Sequence, residues 1–372
     1  MPEPDYATIR RRVLEWYDAG RRELPWRQRR DVYRTWVSEV MLQQTRADQA
    51  APYFKRFVER FPDLESLSKA DLDSVLHAWE GLGYYARARN LHTAAGIVAE
   101  AGFPRDYAGW RLLPGVGDYT AASVSSIIHG EARAAVDGNV SRVASRLFAI
   151  DHPKGTRPFA RAVAGYAEAL LATDRPGDFN EAMMDLGATV CKPRQPRCHD
   201  CPVFDHCLAV AAGKQADYPR RTPRRATPHV VEAAAILADV DGRLFMRRRP
   251  PGGLLGGLWE FPSILVHENT EPKHALQSYL AELTAGSVAV GALLATIDHA
   301  YSHFRVTIRA YACQPRRGPP ALPCSGDDAR WLDADGRCQI AMPRAHRRLV
   351  ASFEACQTRP AGVRQLGRSG PS

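Results

Sequence analysis

Cys191, Cys198, Cys201 and Cys207 follow one another as Cys-x6-Cys-x2-Cys-x5-Cys, and a loop that short can wrap four thiolates around one centre. Four sulfur ligands suit zinc or an iron–sulfur cluster, and spacing alone leaves both open. Zinc sites usually pair two short knuckles, whereas here only Cys198 and Cys201 form one, which favours iron–sulfur. The second chemical signal is Leu113-Pro114-Gly115-Val116-Gly117, followed by Asp118-Tyr119-Thr120 and an Ala/Ser-rich stretch. Gly115 and Gly117 permit a tight turn at positive φ, and the helix that follows opens with unpaired N–H groups suited to a phosphate. Such turns also join helices in many proteins, so the turn by itself does not decide.

The elements that must carry these segments change character along the chain. Residues 1–218 read as helical, with Tyr33, Trp36, Val37, Val40 and Met41 as one apolar stripe. Residues 219–228, PRRTPRRATP, hold three prolines, four arginines and no acid, and read as a basic linker. From there the period becomes two: Phe304, Val306, Ile308 and Ala310 alternate with Arg305, Thr307, Arg309 and Tyr311, as in a half-buried strand. With an apolar run at Val230–Ala238 and a helical stretch at His274–Leu283, residues 229–356 read as an α+β domain, and 357–372 as a disordered tail. The fold class is therefore a mainly α domain followed by an α+β domain.

The 372 residues carry 50 Lys and Arg against 41 Asp and Glu, a formal charge of +9, which suits a polyanionic partner. No apolar run reaches the length of a membrane span and the N-terminus lacks a signal-peptide core, so a soluble, cytoplasmic, nucleoid-associated protein is expected. Cys313, Cys324, Cys338 and Cys356 have no ligand-like spacing and read as ordinary thiols. On its residues alone Glu39 falls off the apolar stripe and reads as a solvated helical glutamate. Asp137, in Asp-Gly-Asn before an apolar helix, reads equally as a helix cap.

Taken in order, Trp36-Val37-Ser38-Glu39-Val40-Met41-Leu42-Gln43-Gln44-Thr45, Gly81-Leu82-Gly83-Tyr84-Tyr85, LPGVG, Val136-Asp137-Gly138-Asn139-Val140, Phe179-Asn180-Glu181 and the cysteine loop resemble the MutY family of the endonuclease III superfamily over residues 8–218. The resemblance implies a helix-hairpin-helix glycosylase with a [4Fe–4S] cluster on Cys191, Cys198, Cys201 and Cys207. It implies Glu39 as general acid toward adenine N7, Asp137 as electrostatic or nucleophilic partner, and Asn139 orienting Asp137. Glycoside hydrolysis needs such a pair, and Glu39 donates near neutrality only if burial raises its pKa. Bifunctional relatives carry a Schiff-base lysine where this chain has Tyr119, which implies a monofunctional hydrolase.

Trp26, Arg27 and Glu181 match residues lining the adenine pocket. Leu42, Gln44, Thr45 and Tyr84 match the segments that meet the duplex, with Gln44 and Tyr84 entering it. Gly257-Leu258-Trp259-Glu260-Phe261-Pro262 and the loop Tyr301-Ser302-His303 resemble a Nudix-like lesion reader, with Tyr301 where the family often has Phe, and no REx2EE-type helix follows Glu260. The implied partner is duplex DNA with adenine opposite 8-oxoguanine or guanine, met by a monomer. A thymine-glycol-type glycosylase with lyase activity runs against Tyr119 and the second domain. A catalytically silent DNA-binding or electron-carrying iron–sulfur protein runs against the two carboxylates.

Overall fold

The computed structural model describes residues 4–222, 227–301, 304–316 and 328–357. It divides into two compact units, Met1–Arg224 and Arg225–Ser372. The first is helical: α1 (Tyr6–Gly20), α2 (Pro25–Gln28), α3 (Val32–Leu42), α4 (Ala47–Arg60), α5 (Leu64–Ser68), α6 (Leu72–Ala78), α7 (Ala86–Ala101), α8 (Tyr107–Arg111), α9 (Asp118–His129), α10 (Gly138–Leu147), α11 (Arg157–Leu170), α12 (Pro176–Thr189) and α13 (Leu208–Ala211). The boundaries follow local chemistry. Asp31, Asp71, Asp106 and Asp137 accept backbone N–H bonds at the starts of α3, α6, α8 and α10, and Gly130 closes α9 in the left-handed region.

Helix α3 is buried on every side rather than along one stripe, because α4, α7 and α9 all pack on it and Trp36 meets the Trp110 ring at 5.6 Å. Glu39 is therefore inside the protein, 4% exposed, and not on a solvated face. Helix α12 is similarly enclosed by α1, α9 and α10. Its approach to α9 requires glycine: a Cβ at Gly177 would sit 2.7 Å from Ile127 Cα and 2.8 Å from the Ser126 carbonyl oxygen.

The second unit holds a sheet in the order β4-β1-β6-β5, built from β1 (His229–Leu237), β4 (Ser263–Val266), β5 (Val288–Ala300) and β6 (Arg305–Pro315). The β1–β6 pair is parallel and the other pairs antiparallel. A smaller sheet, β3-β2-β7, joins β2 (Leu244–Arg248), β3 (Trp259–Glu260) and β7 (Ala329–Leu332). Ala233, Ala235 and Leu237 face one core with Leu276 and Leu280 of α14 (Pro272–Leu283). Ala234 and Ile236 face another with Ala345, Leu349 and Val350 of α16 (Arg344–Gln357), which follows the short α15 (Ala334–Cys338).

Strand β6 begins half-buried, as its alternation implies, but Tyr311 is also buried, because α14 covers the face on which a solvated residue was expected. Ser302, His303, the middle of the linker and the chain beyond 357 lie outside the described residues. Among those described, no helix is long and apolar enough to cross a membrane.

Gly177→Ala is expected to force α12 away from the α9 backbone at a cost of about 1–3 kcal/mol, typical of overpacking. The readout is a fall of several degrees in apparent Tm by circular dichroism; an unchanged Tm would mean that the two helices separate freely at this point.

Candidate active site

Four helices bring the carboxylates together. Glu39 stands in α3, Tyr119 and Ser123 one turn apart in α9, Asp137 at the N-cap of α10, and Glu181 in α12. Burial pushes the Glu39 carboxyl up to about 7, with the Glu181 and Asp137 charges adding to the rise. The Tyr119 and Ser123 hydroxyls lie close enough to pull it back in part. The Tyr119 hydroxyl directs its own hydrogen bond to Met184 Sδ at 3.1 Å, and Glu39 Oε2 and Ser123 Oγ have no partner. An open acceptor and an open hydroxyl thus face the same buried space.

Asp137 is held in the opposite way. Its Oδ1 accepts from the Asn139 and Val140 amides at 2.8 and 2.7 Å, and its Oδ2 from Asn139 Nδ2 at 2.7 Å. Burial raises its pKa above the usual carboxylate range while these bonds and the Arg142 charge oppose the rise. Three donors thus favour the ionised form of Asp137, while Glu39 Oε2 has none and burial favours its protonated form. Asn139 is fixed in turn, because its Oδ1 accepts from Arg142 Nη2 at 2.9 Å and its Cβ would lie 2.5 Å from any Cβ at Gly187. Arg142 also donates to the Gly187 and Cys191 carbonyls, each at 2.8 Å.

Glu181 is tied down by Arg27 at 2.7 Å, by the Tyr17 hydroxyl at 2.9 Å and by Arg30, while Arg27 also meets Asp185 at 2.6 Å. Trp26 packs edge-on to Phe54 at 5.5 Å. Sequence reasoning named Trp26, Arg27 and Glu181 but missed Tyr17, Arg30, Ser123, Arg142, Met184, Asp185 and Gly187. Helical spacing was the available signal: Ser123 stands four residues after Tyr119, Asp185 four after Glu181, and Arg142 three after Asn139.

At the surface beside this site, Gly115 has φ +75 and would drive a Cβ into Asn90 at 2.6 Å. Gly117 does not adopt the positive φ expected of it; at φ −88 it serves as the N-cap of α9, without a side-chain bond to the first amides. Leu42 ends α3 half-buried, while the exposed Gln44 and Tyr84 both sit at positive φ, 58° and 51°. The Thr45 hydroxyl accepts from Arg87 at 3.2 Å.

Cys191, Cys198, Cys201 and Cys207 line one cavity, together with Val190, Phe204, Val210 and Gln215. Arg146 of α10 donates to Cys191 Sγ at 3.3 Å and to the Lys192 carbonyl at 2.8 Å. A buried guanidinium against a ring of thiols fits an anionic sulfur-ligated centre.

Residues 37–167 match the HhH-GPD superfamily of base excision DNA repair proteins, 191–207 the iron–sulfur binding domain of endonuclease III, and 233–352 a NUDIX domain. The adenine DNA glycosylase of Mus musculus is 33% identical over 408 residues, which cover 94% of this chain and 78% of that protein. The chain belongs to the adenine DNA glycosylases. The Homo sapiens adenine DNA glycosylase is likewise 33% identical, over 95% of this chain and 75% of that one. A solved thermostable thymine-DNA glycosylase covers 56% of this chain at 28% identity with a TM-score of 0.51, which shows the fold of the helical unit.

As an adenine DNA glycosylase the chain acts in base excision repair of mispaired adenine, and its four-cysteine loop is iron–sulfur binding rather than a zinc site.

In the NUDIX domain, Tyr301 packs edge-on to His299 at 4.6 Å and donates its backbone N–H to Phe304. Nearby, Glu232, Glu260 and His346 bring their ligand atoms within 4.8 Å of one another. His346 Nδ1 accepts from the Phe261 amide at 3.2 Å, so the ring proton sits on Nε2, 3.5 and 3.6 Å from the two carboxylates, and Arg249 pairs with Glu260. With Nε2 protonated and Glu260 paired to Arg249, the trio, half-buried at its two glutamates, reads as a charge cluster rather than a metal site.

Below about pH 4.5 the Glu39 carboxyl is neutral in both folded and unfolded chains. As pH rises the unfolded chain ionises first, so stability falls until about pH 7, by on the order of 1–3 kcal/mol. Glu39→Gln is therefore expected to gain several degrees of Tm over the native protein at pH 8 relative to pH 4. Parallel Tm–pH curves would contradict a penalised carboxyl.

Proposed function

We propose that the chain is a monofunctional hydrolase that removes adenine opposite 8-oxoguanine, or opposite guanine, and acts as a monomer on duplex DNA. The observation that carries this is the pairing of a buried Glu39, pushed up to about 7, with an Asp137 held by three hydrogen bonds. One group then enters the reaction protonated and the other ionised. Glu39 gives its proton to N7 of the flipped adenine, and the N-glycosidic bond breaks with its electron pair passing to the base. Asp137, oriented by Asn139, steadies the positive charge left on the sugar. Water adds to that carbon while Glu39 takes up its proton, so free adenine and an abasic site result and Glu39 is restored.

Tyr119 shapes the pocket between the carboxylates and supplies no amine, so no Schiff base forms. Trp26, Arg27 and Glu181 line the space for adenine; Leu42, Gln44, Thr45 and Tyr84, with Gly115 and Gly117 of the hairpin, contact the duplex. In this division residues 1–218 excise and 229–356 read the opposite strand through Tyr301, Ser302 and His303. The four cysteines would hold a [4Fe–4S] cluster, which supplies a folded, basic loop beside the DNA rather than a step in the reaction.

The test is single-turnover excision on duplexes with adenine opposite 8-oxoguanine, guanine or thymine, with and without alkali. Strand breaks are expected only after alkali, fastest opposite 8-oxoguanine and absent opposite thymine. Breaks without alkali, or equal rates on all three duplexes, would overturn the reading.

A further inference from the structure

Arg87 is 7% exposed, and none of its hydrogen-bond partners is a carboxylate. Its guanidinium donates to neutral oxygens on two separate segments. Toward the end of α3, Nη1 reaches the carbonyls of Val40, Met41 and Gln43 at 3.0, 2.6 and 2.6 Å, and Nη2 the Thr45 hydroxyl at 3.2 Å. Toward the turn before α7, Nη2 reaches the Gly83 carbonyl at 3.0 Å, and the guanidinium carbon stands 5.4 Å from the Tyr84 ring centroid. A buried cation without an anion is costly, so a position that holds one serves more than packing. Capping the orphan carbonyls of α3 needs only part of this fork. The remaining bonds reach across to Gly83 and Thr45.

The two segments joined this way end in Gln44 and Tyr84, the exposed residues at positive φ described above, with Tyr84 38% exposed. Gln43, between them and the hairpin, donates to the Gly115 carbonyl at 3.3 Å and to the Thr120 hydroxyl at 2.9 Å. We propose that Arg87 is a positioning residue that locks the Gln43–Thr45 and Gly83–Tyr84 turns into one rigid wedge, so that Gln44 and Tyr84 enter the duplex together and drive adenine out. The proposal rests on the reading that these two side chains enter the duplex. The bridge uses the two terminal nitrogens of a planar fork, with Nε left without a partner; the ammonium of lysine keeps the charge but has three donors from one atom.

The experiment follows base extrusion by stopped-flow fluorescence of 2-aminopurine placed beside the target adenine, using the full-length holoprotein. Arg87→Lys, with visible absorbance and Tm near those of the native protein, is expected to slow the fluorescence rise about tenfold, as is Tyr84→Ala. The double variant is expected to be no slower than Tyr84→Ala alone, because Arg87 acts through the wedge. Fully additive slowing, or a native rate for Arg87→Lys, would overturn the proposal while leaving the wedge itself standing. A native rate for Tyr84→Ala would instead overturn the wedge reading. Should Arg87→Lys lose its cluster or its fold, Thr45→Val, which removes one bond of the bridge, carries the same cycle, with the same non-additivity expected.

Discussion

The helical unit is organised around a carboxyl that is buried without a counter-charge. Glu39 lies at the centre of a helix enclosed on all sides, and the charges acting on it most strongly are the carboxylates of Asp137 and Glu181. Desolvation therefore wins over ionisation, and a group that is ordinarily an anion at neutral pH becomes one that holds a proton. In the proposed reaction that proton goes to the leaving base, and stability gives up something to keep it.

The arginines of the site are bonded to groups other than Glu39. Arg27 and Arg30 are engaged by Glu181 and Asp185, and Arg142 is spent on Asn139 and on the carbonyls of Gly187 and Cys191. Helix α10 links two demands, since Asp137 begins it and Arg142 and Arg146 along it hold the loop that carries the cysteines. The cysteine loop and Asp137 are thus held by one helix, while Glu39 comes to the site from α3.

What the sequence made legible was local: the cysteine loop, the hairpin, the Asp137 cap and the change of period after the linker are each contained in a few consecutive residues. What it hid depends on neighbours distant in the chain. Glu39 looks solvated when only its own helix is considered, and its burial comes from α4, α7 and α9. Gly117 looks like a second positive-φ turn residue, but the turn needs only Gly115. Tyr311 sits on the polar register of its strand and is buried because α14 lies over it. Arg87 offers no motif at all, since its partners are mostly backbone carbonyls, which every sequence supplies. The roles of the carboxylates came from family resemblance, and geometry adds the reason that one of them keeps its proton.

The most direct test of that reason is an infrared titration of protein with ¹³C-labelled glutamate carboxyls, comparing the native chain with Glu39→Gln. A protonated-carboxyl band that is lost with a midpoint near pH 7 in the native protein, and is missing from the variant, is the expected result. A band lost by about pH 4.5, where ordinary glutamates ionise, would mean that Glu39 enters the reaction as an anion and is not the acid.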